Sequence, residues 1–285
     1  MVDQKVLGIL FGVGAGAMWA VEAILGKLLF PFLTFVQVTA SEVFFATLTT
    51  FPYILMRRER IKFDWKNIWN LLFVGLVGTV FAPLMYFFGL TQTFAINATL
   101  IAHLQPLFIA ILGFYFLKER LHKPDFIGGL LVISAAILIT SRTIENLASF
   151  KIGNFGDLMA LFATLAWALV AIPGKQLAKT TSSVTIVCYR FSIASVVFIP
   201  ILFYSNQLGV NSIYQVLLGM LVGLGYVFYY EALKRIKASQ VALTELSSPF
   251  FAAVFAWNLL GEIMTSMQTA GFLLLTCGLF ILAKK

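Results

Sequence analysis

The chain has 285 residues, 60% of them hydrophobic and 11% charged, with a net charge of +8. Soluble domains carry roughly 45–50% apolar and roughly 25% charged residues, so this chain lacks the polar surface to coat a globule of its size. A soluble enzyme, a disordered chain, a disulfide scaffold and a water-soluble nucleic-acid binder are excluded, which leaves a polytopic membrane protein.

A helical span needs roughly 20 apolar residues. Runs of that kind are predicted at 6–29, 33–56, 67–90, 94–117, 124–141, 155–175, 183–204, 212–233, 239–260 and 267–283. They are apolar on every face and longer than the alternating segments of about 10 residues that mark a membrane β-strand. The expected fold class is therefore an all-α membrane protein with ten transmembrane helices. The connections near 57–66 and 142–154 are short and leave nothing for a soluble domain. The first run follows Lys5 and contains Ala15-Gly16-Ala17, in the manner of a cleavable signal peptide. Its recurrence later in the chain argues against cleavage. Cys188 and Cys277 fall inside spans without metal-ligand spacing and read as small buried apolar residues.

Lys and Arg sort by loop. With the N-terminus inside, the cytoplasmic side holds Lys5, Arg57, Arg58, Arg60, Lys62, Lys66, Lys118, Arg120, Lys123, Lys179, Lys234, Arg235, Lys237, Lys284 and Lys285. The outer side holds Arg142 and Lys151. This bias predicts an N-in, C-in, multi-pass protein of the cell inner membrane, with the lipid bilayer as partner. The positive excess then reflects topology and attraction to anionic lipid, and no nucleic-acid partner is expected.

The chain also repeats. Residues 19–27, WAVEAILGK, match 167–175, WALVAIPGK, at an offset of 148. That offset also aligns Pro52 with Pro200, and Glu42 with Arg190. An offset of 143 then aligns Tyr86 with Tyr229, Pro106 with Pro249, Glu119 with Glu262 and Gly128 with Gly271. Two copies of a five-helix unit follow, at 1–141 and 155–285, joined by an outer loop at 142–154. Five is odd, so the second copy runs inverted, which suits alternating access around a midplane site.

Ten helices in inverted halves, with Trp…Gly-Lys opening each half, a Pro within the fourth helix and a Glu at its end, resemble the EamA family of the drug/metabolite transporter superfamily. The resemblance covers almost the whole chain and implies a transporter. Family members move amino acids, other metabolites, vitamins or drugs, many of them outward.

Ionisable residues inside spans are costly and usually functional. Glu22, Glu42, His103, Arg190 and Glu245 all fall within about 10 Å of the midplane at a rise of roughly 1.5 Å per residue. Three carboxylates face one obligate cation. Either some are protonated, or a proton, a cation or a cationic substrate group completes the balance. Glu22 and Glu245 are the proton-coupling candidates: the equivalent of Glu22 is Val170, and Glu245 replaces Ala102 beside Pro249. His103 either relays a proton or is a hydrogen-bonded structural residue. Glu42 and Arg190 either pair and fasten the halves, or Arg190 holds a substrate carboxylate. Pro106 and Pro249 each lack an N–H and free the carbonyl four residues earlier, on Ala102 and Glu245. Kinks at matching depth in both halves point to the site.

The predicted cavity set is Trp19, Glu22, Glu42, Tyr86, His103, Trp167, Arg190, Tyr229 and Glu245. Gly8, Gly12 and Gly16 on helix 1, and Gly219 and Gly223 on helix 8, mark close helix contacts, either static or sliding. Lys27 and Lys175 read as snorkelling residues, and Glu119 and Glu262 as structural helix ends. An aromatic wall with one Arg and several Glu suits a small amphipathic zwitterion such as an amino acid, with Arg190 taking the carboxylate. The alternative is an organic cation held by Glu and cation–π contacts; a non-transport scaffold is remote. No phosphate-binding loop is present, so proton antiport and facilitated diffusion are the available modes. With His103 and His122 the only histidines and no catalytic cluster, neither an enzyme, a metal site nor a cofactor is expected.

Overall fold

The computed structural model describes residues 3–56, 67–117, 123–236 and 238–282, and among these there is no strand. The helices in chain order are α1 (Gln4–Leu29), α2 (Phe35–Met56), α3 (Ile68–Gly75), α4 (Ala82–Leu90), α5 (Ala95–Ala102), α6 (Gln105–Leu117) and α7 (Lys123–Ser141), then α8 (Ile144–Ala148), α9 (Phe155–Ala178), α10 (Ser183–Tyr204), α11 (Ile213–Arg235), α12 (Ala238–Glu245), α13 (Ser247–Leu260) and α14 (Ser266–Leu282). A π-helical stretch, Leu76–Phe81, joins α3 to α4. Among the described residues, five helical runs are long and apolar enough to cross a membrane: Gln4–Leu29, Ile68–Leu90, Phe155–Ala178, Ser183–Tyr204 and Ile213–Arg235. Shorter apolar helices accompany them. The dressing is that of a protein in lipid: Phe126, Leu130, Val196 and Leu273 are exposed, whereas Glu42, Arg190 and Asp157 are buried.

Three predicted runs are interrupted. The run 94–117 stops at Ala102 and resumes at Gln105, with Pro106 in the first turn of α6. The run 239–260 breaks at Leu246, with Pro249 in the first turn of α13. A proline has no N–H to give to the carbonyl four residues back, so the ladder is already open there. The run 67–90 contains the π-helical stretch, where Thr79 Oγ1 donates to Val74 O five residues earlier, 3.1 Å. Of the short connections, 142–154 carries α8, and 57–66 lies outside the described residues, as do Glu119 and His122.

Small residues set the helix contacts. A Cβ on Gly219 would fall 2.4 Å from Phe45 Cβ and 2.7 Å from Glu42 O, so α11 touches the α2 backbone directly. A Cβ on Gly16 would fall 3.2 Å from Glu245 O, so α1 likewise packs closely on the break between α12 and α13. Two contacts are self-complementary. Thr47 Oγ1 lies 3.2 Å from Ser195 Oγ, joining residues 148 apart across α2 and α10. Between α7 and α14, a Cβ on Gly128 would meet Gly278 O at 2.8 Å, and one on Gly271 would meet Ala135 O at 3.1 Å. Gly271 and Gly278 stand 143 residues after Gly128 and Ala135. In an isologous contact, residue i meets j and the equivalent of i meets the equivalent of j.

Candidate functional site

A cavity of about 440 Å³ lies among α1, α4, the α5–α6 break, α9, α10, α11 and the α12–α13 break. Its deep part is lined by Trp19, Glu22, Tyr86, His103, Trp167, Arg190, Tyr229 and Glu245. Its lining extends to Lys175, Gln176 and Lys179, which are exposed. Lys175 thus stands at the mouth rather than reaching only to lipid headgroups.

The tryptophans hold different partners. Trp19 Nε1 donates to Glu245 Oε1 at 2.8 Å, so α1 grips the last residue of α12. Trp167 Nε1 donates to Gly78 O at 3.3 Å. A hydrogen bond to a charged acceptor contributes about 1.5–3 kcal/mol, against about 0.5–1.5 kcal/mol for a neutral one. Trp19→Phe should therefore lower unfolding stability by roughly 1 kcal/mol more than Trp167→Phe. Equal unfolding midpoints for the two variants would contradict a charged Glu245 acceptor.

Arg190 is buried within α10 and reaches the π-helical stretch. Its Nε donates to Thr79 Oγ1 at 2.8 Å and its Nη2 to Gly78 O at 3.0 Å. Its guanidinium carbon lies 3.9 Å from the Tyr226 ring centre. Tyr226 also meets Trp19 edge-on, with ring centres 4.7 Å apart. Tyr226 was outside the predicted set, although it precedes Tyr229 and Tyr230 by one turn and so shares their face; Tyr230 also lines the cavity.

Glu42 does not line the cavity. Its α2 backbone is pressed against Gly219, and its carboxyl Oε2 is buried with no hydrogen-bond partner. No ion pair between Glu42 and Arg190 is present among the described residues. Arg190 turns to Thr79 and Gly78 instead. Pro249 is buried in α13 and, unlike Pro106, is not part of the lining.

His103 stands at the α5–α6 break. Its Nδ1 is 2.7 Å from Thr99 O and its Nε2 is 2.9 Å from Glu245 O. The ring therefore ties the first broken helix to the second.

A second polar cluster lies outside the lining of this cavity. Asp157, buried at the start of α9, accepts from Thr93 Oγ1 and Asn97 Nδ2. Arg142 Nη2 donates to Thr93 Oγ1 at 2.7 Å and lies 3.8 Å from Asp157 Oδ1. Gln268 Nε2 donates to Asn97 Oδ1 at 3.3 Å. Glu262, read from sequence as a helix end, accepts from Ala95 N at 3.1 Å and Ile96 N at 3.2 Å. Phe94, at the start of α5, offers no capping side chain, so Glu262 supplies the acceptors that a helix N-terminus lacks.

The family model described as "EamA-like transporter family" matches residues 6–141 and again 154–284. An uncharacterized transporter of Methanothermobacter thermautotrophicus is 31% identical over 74% of this chain, and the chain spans 63% of that relative's length. A pseudopaline exporter of Pseudomonas aeruginosa is 27% identical over 86% of each chain. One crystal structure shares the fold with a TM-score of 0.68 at 18% identity, covering 96% of this chain and 95% of the other. With both of its halves matched and its relatives named as transporters, this chain belongs to the EamA-like transporter family.

Proposed function

We propose that the chain exports a small amphipathic zwitterion of the amino-acid class by alternating access. In this reading it has ten spans in two inverted five-helix units, 1–141 and 155–285, with both termini cytoplasmic. The twofold match of the family model, the self-complementary Thr47–Ser195 contact and the equivalent Gly128–Gly278 and Gly271–Ala135 contacts support the inverted pair. With that orientation, the mouth at Lys175 and Lys179 faces the cytoplasm, and the Asp157–Glu262 layer closes the outer side.

The observation that carries the substrate class is the shared lining of one cavity by Arg190, Glu22 and the rings of Trp19, Tyr86, Trp167 and Tyr226. A planar guanidinium is suited to a carboxylate, a glutamate to an ammonium group, and the aromatic faces to an apolar tail. A second reading, an organic cation, is favoured by one fact: Arg190 is already engaged by Thr79 and Gly78. In that case Glu22 and the rings would hold the ligand.

A thermal-shift screen of amino acids and of apolar amines, on purified protein, tests the choice. A ligand at 100 times its Kd stabilises by about 2.7 kcal/mol. Stabilisation by amino acids and not by their decarboxylated amines supports the zwitterion; the reverse result supports the cation. Uptake into proteoliposomes with and without a pH gradient then separates antiport from facilitated diffusion.

A further inference from the structure

His103 bridges the two proline-opened helices in a way that specifies its protons. Pro249 has no N–H, so the carbonyl of Glu245 lacks its ordinary helical donor. His103 Nε2, 2.9 Å away, takes that place. The other ring nitrogen, Nδ1, stands 2.7 Å from the carbonyl of Thr99. Both partners are carbonyl oxygens, which only accept. A neutral imidazole carries one N–H and one bare lone pair, whereas the imidazolium carries two N–H groups. With a neutral ring, one of these two contacts would set a lone pair against an oxygen. Only the doubly protonated ring satisfies both.

We propose that His103 is an imidazolium in this conformation, and that release of its Nδ1 proton loosens the link between the two broken helices. The coupling part rests on the alternating-access reading given above. The titratable and charged groups that share the cavity with the ring are Glu22 from α1, Tyr86 from α4, Lys175 from α9 with Lys179 just after it, Arg190 from α10, Tyr226, Tyr229 and Tyr230 from α11, and Glu245 from α12. A charged His103 adds a second cation to Arg190 against Glu22, Glu42 and Glu245, which narrows the imbalance in the sequence. Glu245 contributes twice, through the carbonyl that the ring binds and through a carboxylate fixed by Trp19.

When Nδ1–H dissociates, the N–H electron pair stays on the ring and the proton passes to solvent in the cavity. Nδ1 then faces Thr99 O without a hydrogen. The ring turns to relieve that contact, and turning withdraws Nε2 from Glu245 O. The only side-chain bond between the α5–α6 break and the α12–α13 break is lost, among the described residues, and the two can part.

Two measurements test this, and neither requires a known substrate. The first is nitrogen NMR on 15N-histidine-labelled His122→Gln protein in lipid nanodiscs, which leaves His103 as the single histidine. The expected spectrum at the acid end of a pH series, over about pH 5 to 8, shows two N–H-type ring nitrogens. The far-downfield signal of a bare nitrogen should then appear at Nδ1 as the pH rises. A bare nitrogen present throughout the series overturns the imidazolium. The second is a spin-label distance between Gln176→Cys and Leu233→Cys, two positions of the cavity lining on α9 and α11, in a background lacking Cys188 and Cys277. The distance should shift with pH in the His103 protein and hold constant in His103→Gln. An unchanging distance in the His103 protein, or the same shift in His103→Gln, overturns the coupling. If His103→Gln does not fold, the NMR series and the pH response of the His103 protein still decide. A failure of every candidate substrate to be transported would count against the functional reading alone, since both readouts are independent of transport.

Discussion

Arg190→Ala should cost the fold about 3–5 kcal/mol, the range for removing one partner of a buried charge cluster. The guanidinium holds Thr79 Oγ1 and Gly78 O in the π-helical stretch and covers the Tyr226 ring. Its loss leaves Glu42, whose Oε2 already lacks a partner, without the positive charge of Arg190. Chemical unfolding in detergent checks the magnitude. Because Glu42 and Arg190 do not touch as an ion pair, the double variant Glu42→Ala/Arg190→Ala should recover only part of the loss. The charge term cancels, but the two bonds to the π-helical stretch stay broken. Full recovery would mean that the two groups act as a pair and that Arg190 is structural. Arg190→Lys keeps the charge and loses the planar fork, so it should fold better than Arg190→Ala while binding amino acids at least about tenfold more weakly, the effect of one lost bond near 1.4 kcal/mol. Undiminished transport of carboxylate-bearing ligands by a folded Arg190→Ala protein would end the zwitterion reading and put the organic cation first.

Why some of this was readable in the sequence and some was not has a physical basis. Apart from the breaks at 103–104 and 246 and a few end residues, each predicted apolar run is helical where it is described, because in hydrocarbon the backbone has no other way to satisfy its polar groups locally. Pro106 and Pro249 marked where the ladder opens, since a missing N–H is a property of one residue. What fills the opening was not legible: the donor to Glu245 O comes from His103, 142 residues away. The same holds for the π-helical stretch. No residue in 76–81 announces it, and its buried carbonyl at Gly78 is met from α10 by Arg190 and from α9 by Trp167. Glu42 was placed in the cavity on its charge and its symmetry with Arg190, yet depth in the membrane does not specify which way a helix face points. Gly219 packs α11 onto the backbone at Glu42, away from the cavity lining. Tyr226 was missed for the opposite reason: it has no distinctive partner in the repeat, only its position one turn before Tyr229 and Tyr230.

Glu262 carries the other large expected effect. It sits after α13, yet its two carboxylate oxygens accept the first two amides of α5. A negative charge there also favours the positive end of the helix dipole. Both amides belong to buried residues, and each orphaned buried donor costs about 1–3 kcal/mol. Glu262→Ala should therefore lose several kcal/mol, and Glu262→Gln less, since one amide keeps an oxygen acceptor. A cap that only stabilised α5 would lower the unfolding midpoint and do nothing else. The position of Glu262 predicts more, because in the proposed orientation the residues it joins close the outer side. Ile96, buried beside it, serves as a reporter when replaced by Cys in a background lacking Cys188 and Cys277. In vesicles, a membrane-impermeant thiol reagent should label Ile96→Cys slowly in the Glu262 protein and at least about tenfold faster in Glu262→Gln, which corresponds to a shift of 1.4 kcal/mol toward an opened layer. Measured well below the unfolding temperature of both proteins, equal labelling rates would reduce Glu262 to a helix cap. They would also leave the Asp157, Asn97 and Arg142 network as the seal of that end.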